Sequence, residues 1–201
     1  MDITLISQPR LKYDEANVIC HLFEVGLEKL HIRKPTHSAL EISRLLDSIP
    51  DQFLSHIVMH RIPQLVNDYG LAGYHHADGE DMKGCLGTSS RSIHSLKDLS
   101  AVDGKFDYFF YGPVYKSISK KDYKPKVPLS MVKEVLDLIS PIKNRPKVYA
   151  IGGIRRKKIM QLMETGFDGF ALLGSIWSRS DPVDAFSKFK HHCEESEHAF
   201  V

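Results

Sequence analysis

Glycines stand at two points near the end of the chain where a phosphate-binding turn would be built. Gly152 and Gly153 follow one apolar run, and Gly174 with Ser175 follows the next. Because glycine has no side chain, backbone N–H groups at such turns can approach an anion closely. Since the two turns follow successive apolar runs, we predict one shared phosphate site rather than two turns that serve only the chain path.

A second anion-binding sequence lies in the lysine-rich stretch 116–126. Ser117 and Ser119 place hydroxyl groups two residues apart, and the ammonium group of Lys120 follows directly. Two hydroxyls and one cation are suited to holding a phosphate or pyrophosphate group. The run of lysines is also typical of a solvated charged loop, and the sequence leaves both interpretations open.

Histidines, of which the chain has 11, are the candidates for acid–base chemistry. His94 is the first of these, because an imidazole with its ordinary pKa of about 6.5 can accept and donate a proton at neutral pH. The plainer interpretation is a helix-start histidine that bonds the backbone. Four others stand at or near predicted strand ends, where a site role and a structural role are both open: His31, His60, His75 and His76. A metal site built from them lacks the helical His-x-x-x-His pair typical of many zinc sites.

The elements that must position these residues are short apolar runs that alternate with helix-period stretches. Eight runs predict strands, at 3–6, 29–32, 56–59, 71–75, 85–88, 107–111, 147–151 and 169–173. Near-continuous apolar strands separated by helices indicate a parallel sheet covered on both faces. Eight such units in about 200 residues predict an α/β fold, a single (β/α)8 TIM-barrel domain over residues 1–201.

An open doubly wound sheet is the alternative fold. Such a sheet usually carries a glycine-rich dinucleotide-binding turn after its first strand, whereas this chain has Ser7-Gln8-Pro9-Arg10 at that place. A glycine-rich P-loop motif is also missing from the sequence. Both observations favour the barrel.

The composition excludes several classes of partner. A formal net charge of only +2 argues against a nucleic-acid-binding protein or a membrane-surface protein. The three cysteines, Cys20, Cys85 and Cys193, form no Cys-x-x-Cys pair, so neither a disulfide framework nor a zinc knuckle is indicated. No apolar run approaches the length of a membrane span, and we expect a cytoplasmic protein.

Five motifs in order give the sequence a resemblance to a known superfamily. They are Leu30-His31-Ile32-Arg33, Gly87 with Ser92-Ile93-His94-Ser95, Asp107-Tyr108 with Gly112-Pro113-Val114-Tyr115, Ala150-Ile151-Gly152-Gly153-Ile154, and Gly166-Phe167-Asp168-Gly169. With them the chain resembles the thiamine phosphate synthase/TenI superfamily over almost its whole length. The resemblance implies a (β/α)8 barrel that acts on the phosphorylated thiazole half of thiamine, and a homodimer.

Two reactions share that scaffold, and the resemblance carries residues for each. The synthases couple thiazole phosphate to hydroxymethylpyrimidine pyrophosphate with magnesium, and Ser117-Ile118-Ser119-Lys120 resembles their pyrophosphate-gripping Thr-x-Thr-Lys. TenI-type enzymes are tautomerases of a thiazole carboxylate phosphate and imply no cofactor. Ser92-Ile93-His94-Ser95 resembles the TenI element whose histidine transfers the protons.

The chain departs from the synthase pattern where magnesium would be held. Arg33 is kept after strand two, but Lys34 and Pro35 follow where the synthases carry an acidic residue and a lysine. At strand three, Met59 and His60 stand in place of Asn-Asp, although a hard cation prefers oxygen ligands. Weak candidates for metal ligands follow strand four, where solvated turn residues are the plainer interpretation: Asp78, Glu80 and Asp81.

The departures slightly favour a TenI-like thiazole tautomerase. In this hypothesis His94 is the acid and base, Arg33 binds the substrate carboxylate, and the glycine turns with Ser92 hold the phosphate. The first alternative is a thiamine phosphate synthase with a rearranged metal site, and the second is a non-catalytic binder of thiazole or thiamine phosphate. His31, His60 and Lys34 are further possible site residues.

Overall fold

Eight parallel strands close into a barrel in the computed structural model, which describes residues 1–80, 87–102, 104–117 and 124–200. The strands pair in chain order, and the last pairs with the first, which closes the ring. They are β1 (Asp2–Ile6), β2 (Lys29–Ile32), β3 (Ile57–His60), β4 (Gly73–His76), β5 (Thr88–Ile93), β6 (Tyr108–Tyr111), β7 (Lys147–Ile151) and β8 (Gly169–Leu172). The prediction of a (β/α)8 barrel is therefore confirmed, and the open sheet is excluded.

Helices surround the barrel and connect its strands. They are α1 (Glu15–Glu24), α2 (Ala39–Asp47), α3 (Asp51–Leu54), α4 (Gln64–Asp68), α5 (Leu96–Ser100), α6 (Leu129–Ile139), α7 (Ile159–Thr165), α8 (Gly174–Trp177) and α9 (Pro182–Phe200), with a 3-10 helix at Arg156–Lys158. α2 has a capped start, because Ser38 and Glu41 form a capping box.

The barrel has two apolar regions separated by its strands. The larger lies between strands and helices, where side chains such as Leu30, Ile57 and Phe170 are fully buried. The smaller lies inside the barrel, around Tyr108 and Phe110 of β6. Because a parallel strand covered on both faces buries every side chain, all four residues of β3, β4, β6 and β8 are buried.

The fifth strand lies later in the chain than its apolar run predicted. β5 is the polar segment Thr88–Ile93 instead of 85–88, of which 85 and 86 lie outside the described residues. Its Ser90 and Ser92 hydroxyls bond the ring of His75 on β4. A strand whose buried partners are polar needs hydroxyls rather than aliphatic side chains, and the hydrophobic pattern therefore missed it.

The amino-terminal end of the barrel is joined by charged contacts across β7, β8 and β1. Arg145 bonds both carboxylate oxygens of Asp168, at 2.7 and 2.9 Å, and the Lys147 ammonium lies 2.7 Å from Asp2. Tyr149 also donates to Asp2. Through the described part of the chain, every helix is too short or too polar to cross a membrane.

Candidate functional site

A cavity of about 810 Å³ opens at the carboxyl ends of the strands, opposite the charged end. In (β/α)8 barrels this is the end at which active sites are built. The cavity brings together eleven of the residues that the sequence singled out: Arg33, His60, Asp78, Glu80, Ser92, His94, Ser117, Gly152, Gly153, Gly174 and Ser175. His75 and His76 also line it. Ser119, Lys120 and Asp81 lie outside the described residues.

The glycine turn after β7 requires glycine at both positions. Gly152 and Gly153 have φ values of +100° and +68°, in the left-handed region that side chains disfavour. A Cβ atom on Gly153 would lie 2.3 Å from the carbonyl oxygen of Lys116. The backbone N–H of Tyr115 also donates to the Gly152 carbonyl, at 3.1 Å, and so packs the loop after β6 onto this turn.

The turn after β8 opens the short helix α8 at Gly174. The indole N–H of Trp177 at its other end donates to the carbonyl of Ile6, at 2.8 Å, and ties the helix to β1. A short extra helix after strand eight is a recurrent part of phosphate sites in such barrels. The turns after β7 and β8 therefore face the cavity from neighbouring strands.

His94 follows β5 at the rim of the cavity, and its tautomer is fixed by the backbone. Its Nδ1 lies 2.7 Å from the carbonyl oxygen of Gly112. Because a carbonyl oxygen can only accept, Nδ1 is the donor, and in the neutral ring Nε2 carries the lone pair. The sequence left open a backbone-bonded histidine and a proton-transferring one, and this geometry is compatible with both.

Three histidines from β2, β3 and β4 meet inside the barrel, at the floor of the cavity. His31 Nδ1 lies 2.9 Å from His60 Nε2, and the rings of His60 and His75 stack at 4.2 Å. One ring nitrogen of each lies within 4.8 Å of those of the other two. We call these three residues the histidine cluster.

Burial keeps the histidine cluster uncharged. Loss of solvation lowers the pKa of His31 and His60 well below the ordinary value, and lowers that of His75 to about 3. Their other ring nitrogens have partners of their own. His31 Nε2 lies 2.8 Å from the hydroxyl of Tyr108, and His75 Nδ1 lies 2.8 Å from that of Ser90. Burial in turn raises the pKa of Tyr108, which keeps the phenol neutral.

Lys34 lies away from the cavity. Its ammonium group forms a buried ion pair with Glu15 at the start of α1. It also donates to the carbonyls of Gln8 and Arg10, at 2.7 and 3.2 Å. Lys34 therefore has a structural role: its ammonium group connects the end of β2 to the loop after β1 and to α1.

The described residues do not offer a donor set that fits magnesium. Of the two acids that line the cavity, Glu80 already accepts from the Tyr74 hydroxyl at 2.9 Å and from the Ala77 N–H at 2.7 Å. Asp78 is exposed on the turn beside it. Magnesium prefers several oxygen ligands in near-octahedral order, whereas the strand ends nearest these acids present imidazoles.

Arg61 is a cavity residue that was not among the predicted site residues. It follows His60 with a φ of +71°, rare for a residue with a side chain, and its guanidinium donates to the carbonyl of Pro35. Arg33 and Arg61 both line the cavity, on the side of the ring opposite β6 and β7. The position of Arg61 directly after β3, at the carboxyl end of a barrel strand, could have identified it as a site residue.

The fold and the position of the cavity define a TIM-barrel protein whose site is built from the carboxyl-terminal ends of its strands. A family model described as thiamine monophosphate synthase matches residues 3–176. The chain belongs to that family, TMP-TENI, as the resemblance of its strand-end motifs implied.

Individual relatives support this assignment. The chain is 30% identical over 142 residues to a thiamine-phosphate synthase of Anoxybacillus flavithermus, an alignment that covers 64% of each. It is 28% identical over 190 residues to one of Staphylococcus epidermidis, covering 87% of this chain and 82% of the relative. The chain thus spans slightly less than two thirds of the first relative.

A solved structure overlaps almost the whole chain. The thiamine phosphate pyrophosphorylase of Bacteroides thetaiotaomicron superposes with a TM-score of 0.83 at 27% identity, covering 96% of this chain and 98% of the other. The relatives' names back the synthase alternative of the sequence analysis better than the tautomerase that it favoured.

Proposed function

We propose that this chain is a thiamine-phosphate synthase, which couples thiazole phosphate to hydroxymethylpyrimidine pyrophosphate and releases pyrophosphate. The observation that carries the proposal is the cavity, because anion-binding groups face it from opposite sides. Glycine turns follow β7 and β8, whereas Arg33 and Arg61 follow β2 and β3. Two phosphorylated substrates need two such regions.

In this proposal the thiazole phosphate binds at Gly152, Gly153, Gly174 and Ser175. Backbone N–H groups there neutralise the phosphate without a side chain in the way. The arginines bind the pyrophosphate of the second substrate from across the cavity, whereas Ser117, in the loop after β6, lies on the side of the glycine turns. The barrel holds both substrates in line, and their proximity provides much of the rate.

The test is a coupling assay with purified protein and both phosphorylated halves, with and without magnesium. We expect thiamine phosphate and pyrophosphate in equal amounts, and a much slower reaction with Arg61→Ala. Arg44→Ala, which removes an exposed guanidinium on α2 that does not line this cavity, is the matched control. No product at saturating substrates and magnesium would exclude the synthase reaction.

One observation favours thiazole tautomerisation as a second candidate. The Gly112 carbonyl fixes His94 with its lone pair on Nε2, which is the arrangement of a general base. That candidate predicts conversion of the thiazole carboxylate tautomer, and a loss of 10²- to 10⁴-fold in His94→Asn. His56→Asn is the control, because His56 also bonds a backbone carbonyl, that of Glu28, away from the cavity. Equal rates for the wild type and His94→Asn would exclude this role.

Binding assays separate both reactions from a non-catalytic protein. If thiazole phosphate binds tightly by calorimetry while neither assay shows turnover, the chain is a binder of that ligand. The phosphate site and the reaction are thereby tested independently.

A further inference from the structure

We propose that the histidine cluster is a binding site for a divalent transition-metal ion of the zinc or cobalt class. His31, His60 and His75 come from three consecutive strands, and one ring nitrogen of each lies within 4.8 Å of those of the other two. This inference does not rest on the proposed function. It also differs in ligands and in metal from the oxygen-liganded magnesium site considered above.

One of the three pairs of ring nitrogens already has nearly the spacing that such an ion requires. Zinc–nitrogen bonds of about 2.0–2.1 Å in tetrahedral order place two ligand nitrogens about 3.3 Å apart. His31 Nδ1 and His60 Nε2 lie 2.9 Å apart, as a hydrogen-bonded pair. Binding therefore moves the proton between these two nitrogens to the outer nitrogen of the ring that carries it, so that both nitrogens offer a lone pair, and the two rings separate by about 0.4 Å. His75, whose ring stacks on that of His60, must turn toward the same ion.

The ligands are held in the neutral form that metals bind. Burial lowers the pKa of all three imidazoles, so a ring lone pair is present at neutral pH. Imidazole ligands in metal sites usually donate their second N–H to a neighbouring acceptor. Tyr108 stands at that position for His31, and Ser90 stands there for His75, whose Nε2 would exchange the Ser92 hydroxyl for the ion.

The ligand atoms, which are imidazole nitrogens, determine the class of metal ion. Neutral imidazole nitrogens suit zinc, cobalt, nickel and copper, whereas magnesium and calcium prefer oxygen. Three protein ligands leave a fourth position, as in catalytic zinc sites. His60 and His75 line the cavity, so that position is open to water or to an anionic ligand, and the cavity is the entry path.

The first experiment is a cobalt titration of chelator-treated protein, followed by visible absorbance. We expect one bound equivalent with the intense d–d bands of a four-coordinate site. His60→Gln and His75→Gln should each lose that equivalent. The surface control is the double variant His191→Ala/His192→Ala, because these exposed histidines lie beside Glu195 on α9 and are the obvious adventitious site.

The outcomes separate clearly. Loss in the two cluster variants with retention in the surface variant supports the site. No bound equivalent in the wild type, retention in His60→Gln, or loss in the surface variant overturns it. If a cluster variant does not fold, zinc X-ray absorption of the wild type decides, because three imidazoles in the first shell support the site and fewer overturn it.

Discussion

The buried position of Lys34 could not be predicted from its neighbours in the sequence. Its place next to Arg33, at a strand end, made it a candidate for the cavity. Its partner in the buried ion pair is Glu15, which precedes it by 19 residues and belongs to α1. Because only the folded chain brings the two charges together, no local sequence pattern predicts the ion pair.

We predict that Lys34→Met strongly destabilises the protein. Removing one member of a buried ion pair leaves the other charge without compensation, which costs about 3–5 kcal/mol of unfolding free energy. The double variant Lys34→Met/Glu15→Leu should recover most of that loss. Urea denaturation measures both free energies.

The control for this pair is exposed. Lys188 pairs with Asp184 on the surface of α9, and Lys188→Met should change the unfolding free energy by less than about 1 kcal/mol. If Lys34→Met costs no more than Lys188→Met, the buried pair has no stabilising role.

The histidine cluster could be predicted only in part. The sequence placed His31, His60 and His75 near strand ends, but the pattern sought for a metal site was a helical one. His60 and His75 are register partners on neighbouring parallel strands. Which residues point inward depends on register and barrel closure, and single strands do not specify those.

At the scale of the element, apolar runs predicted seven strands within a few residues. The exception was β5, whose sequence Thr88–Ile93 is mostly polar. Hydrophobic patterns work where strands pack on aliphatic side chains, and they fail where the neighbour is an imidazole. Strand order and closure were predictable from the number of units alone.

The glycine turn after β7 allows a direct test of the proposed phosphate site. Gly153→Ala should raise the Kd for thiazole phosphate at least tenfold, because a Cβ would collide with the Lys116 carbonyl and displace the turn. Calorimetry measures this loss of binding free energy, which is about 1.4 kcal/mol for a tenfold change in Kd.

Gly70→Ala is the matched control for that turn. Gly70 also has a positive φ, +59°, but a Cβ there would meet no atom within 4 Å. We expect a small loss of stability and unchanged binding. If the two variants bind the ligand equally, the phosphate does not lie at Gly153.

At the scale of the whole molecule, the barrel interior changes character along its axis. Charged contacts join the amino-terminal end, aromatic side chains around Tyr108 and Phe110 fill the middle, and the histidine cluster lies next to the cavity. A polar layer inside a barrel is stable only if its members stay neutral and bonded.

That layer predicts a steep acid sensitivity of the whole fold. The unfolded histidines titrate near 6.5, whereas the folded pKa of His75 is about 3 and those of His31 and His60 are also lowered. Below pH 6.5 the unfolded chain therefore takes up protons that the folded protein excludes. Stability is present above pH 6.5 and is lost as the pH falls toward the folded values.

Each excluded proton steepens the pH dependence by about 1.4 kcal/mol per pH unit. In the presence of a chelator, His60→Gln should reduce the slope of unfolding free energy between pH 6 and pH 4 by about that amount. Urea denaturation at a series of pH values measures it. Parallel slopes for the wild type and the variant would contradict the prediction.

The hydrogen bonds among Tyr108, His31 and His60 have a direction. Since each neutral imidazole carries one proton, either Tyr108 donates to His31 and His31 to His60, or the whole order is reversed. A molecule in the cavity that fixes which nitrogen of His60 is protonated also decides whether the phenol of Tyr108 gives or receives. The ultraviolet absorbance of Tyr108, buried inside the barrel, would then report which molecule occupies the cavity.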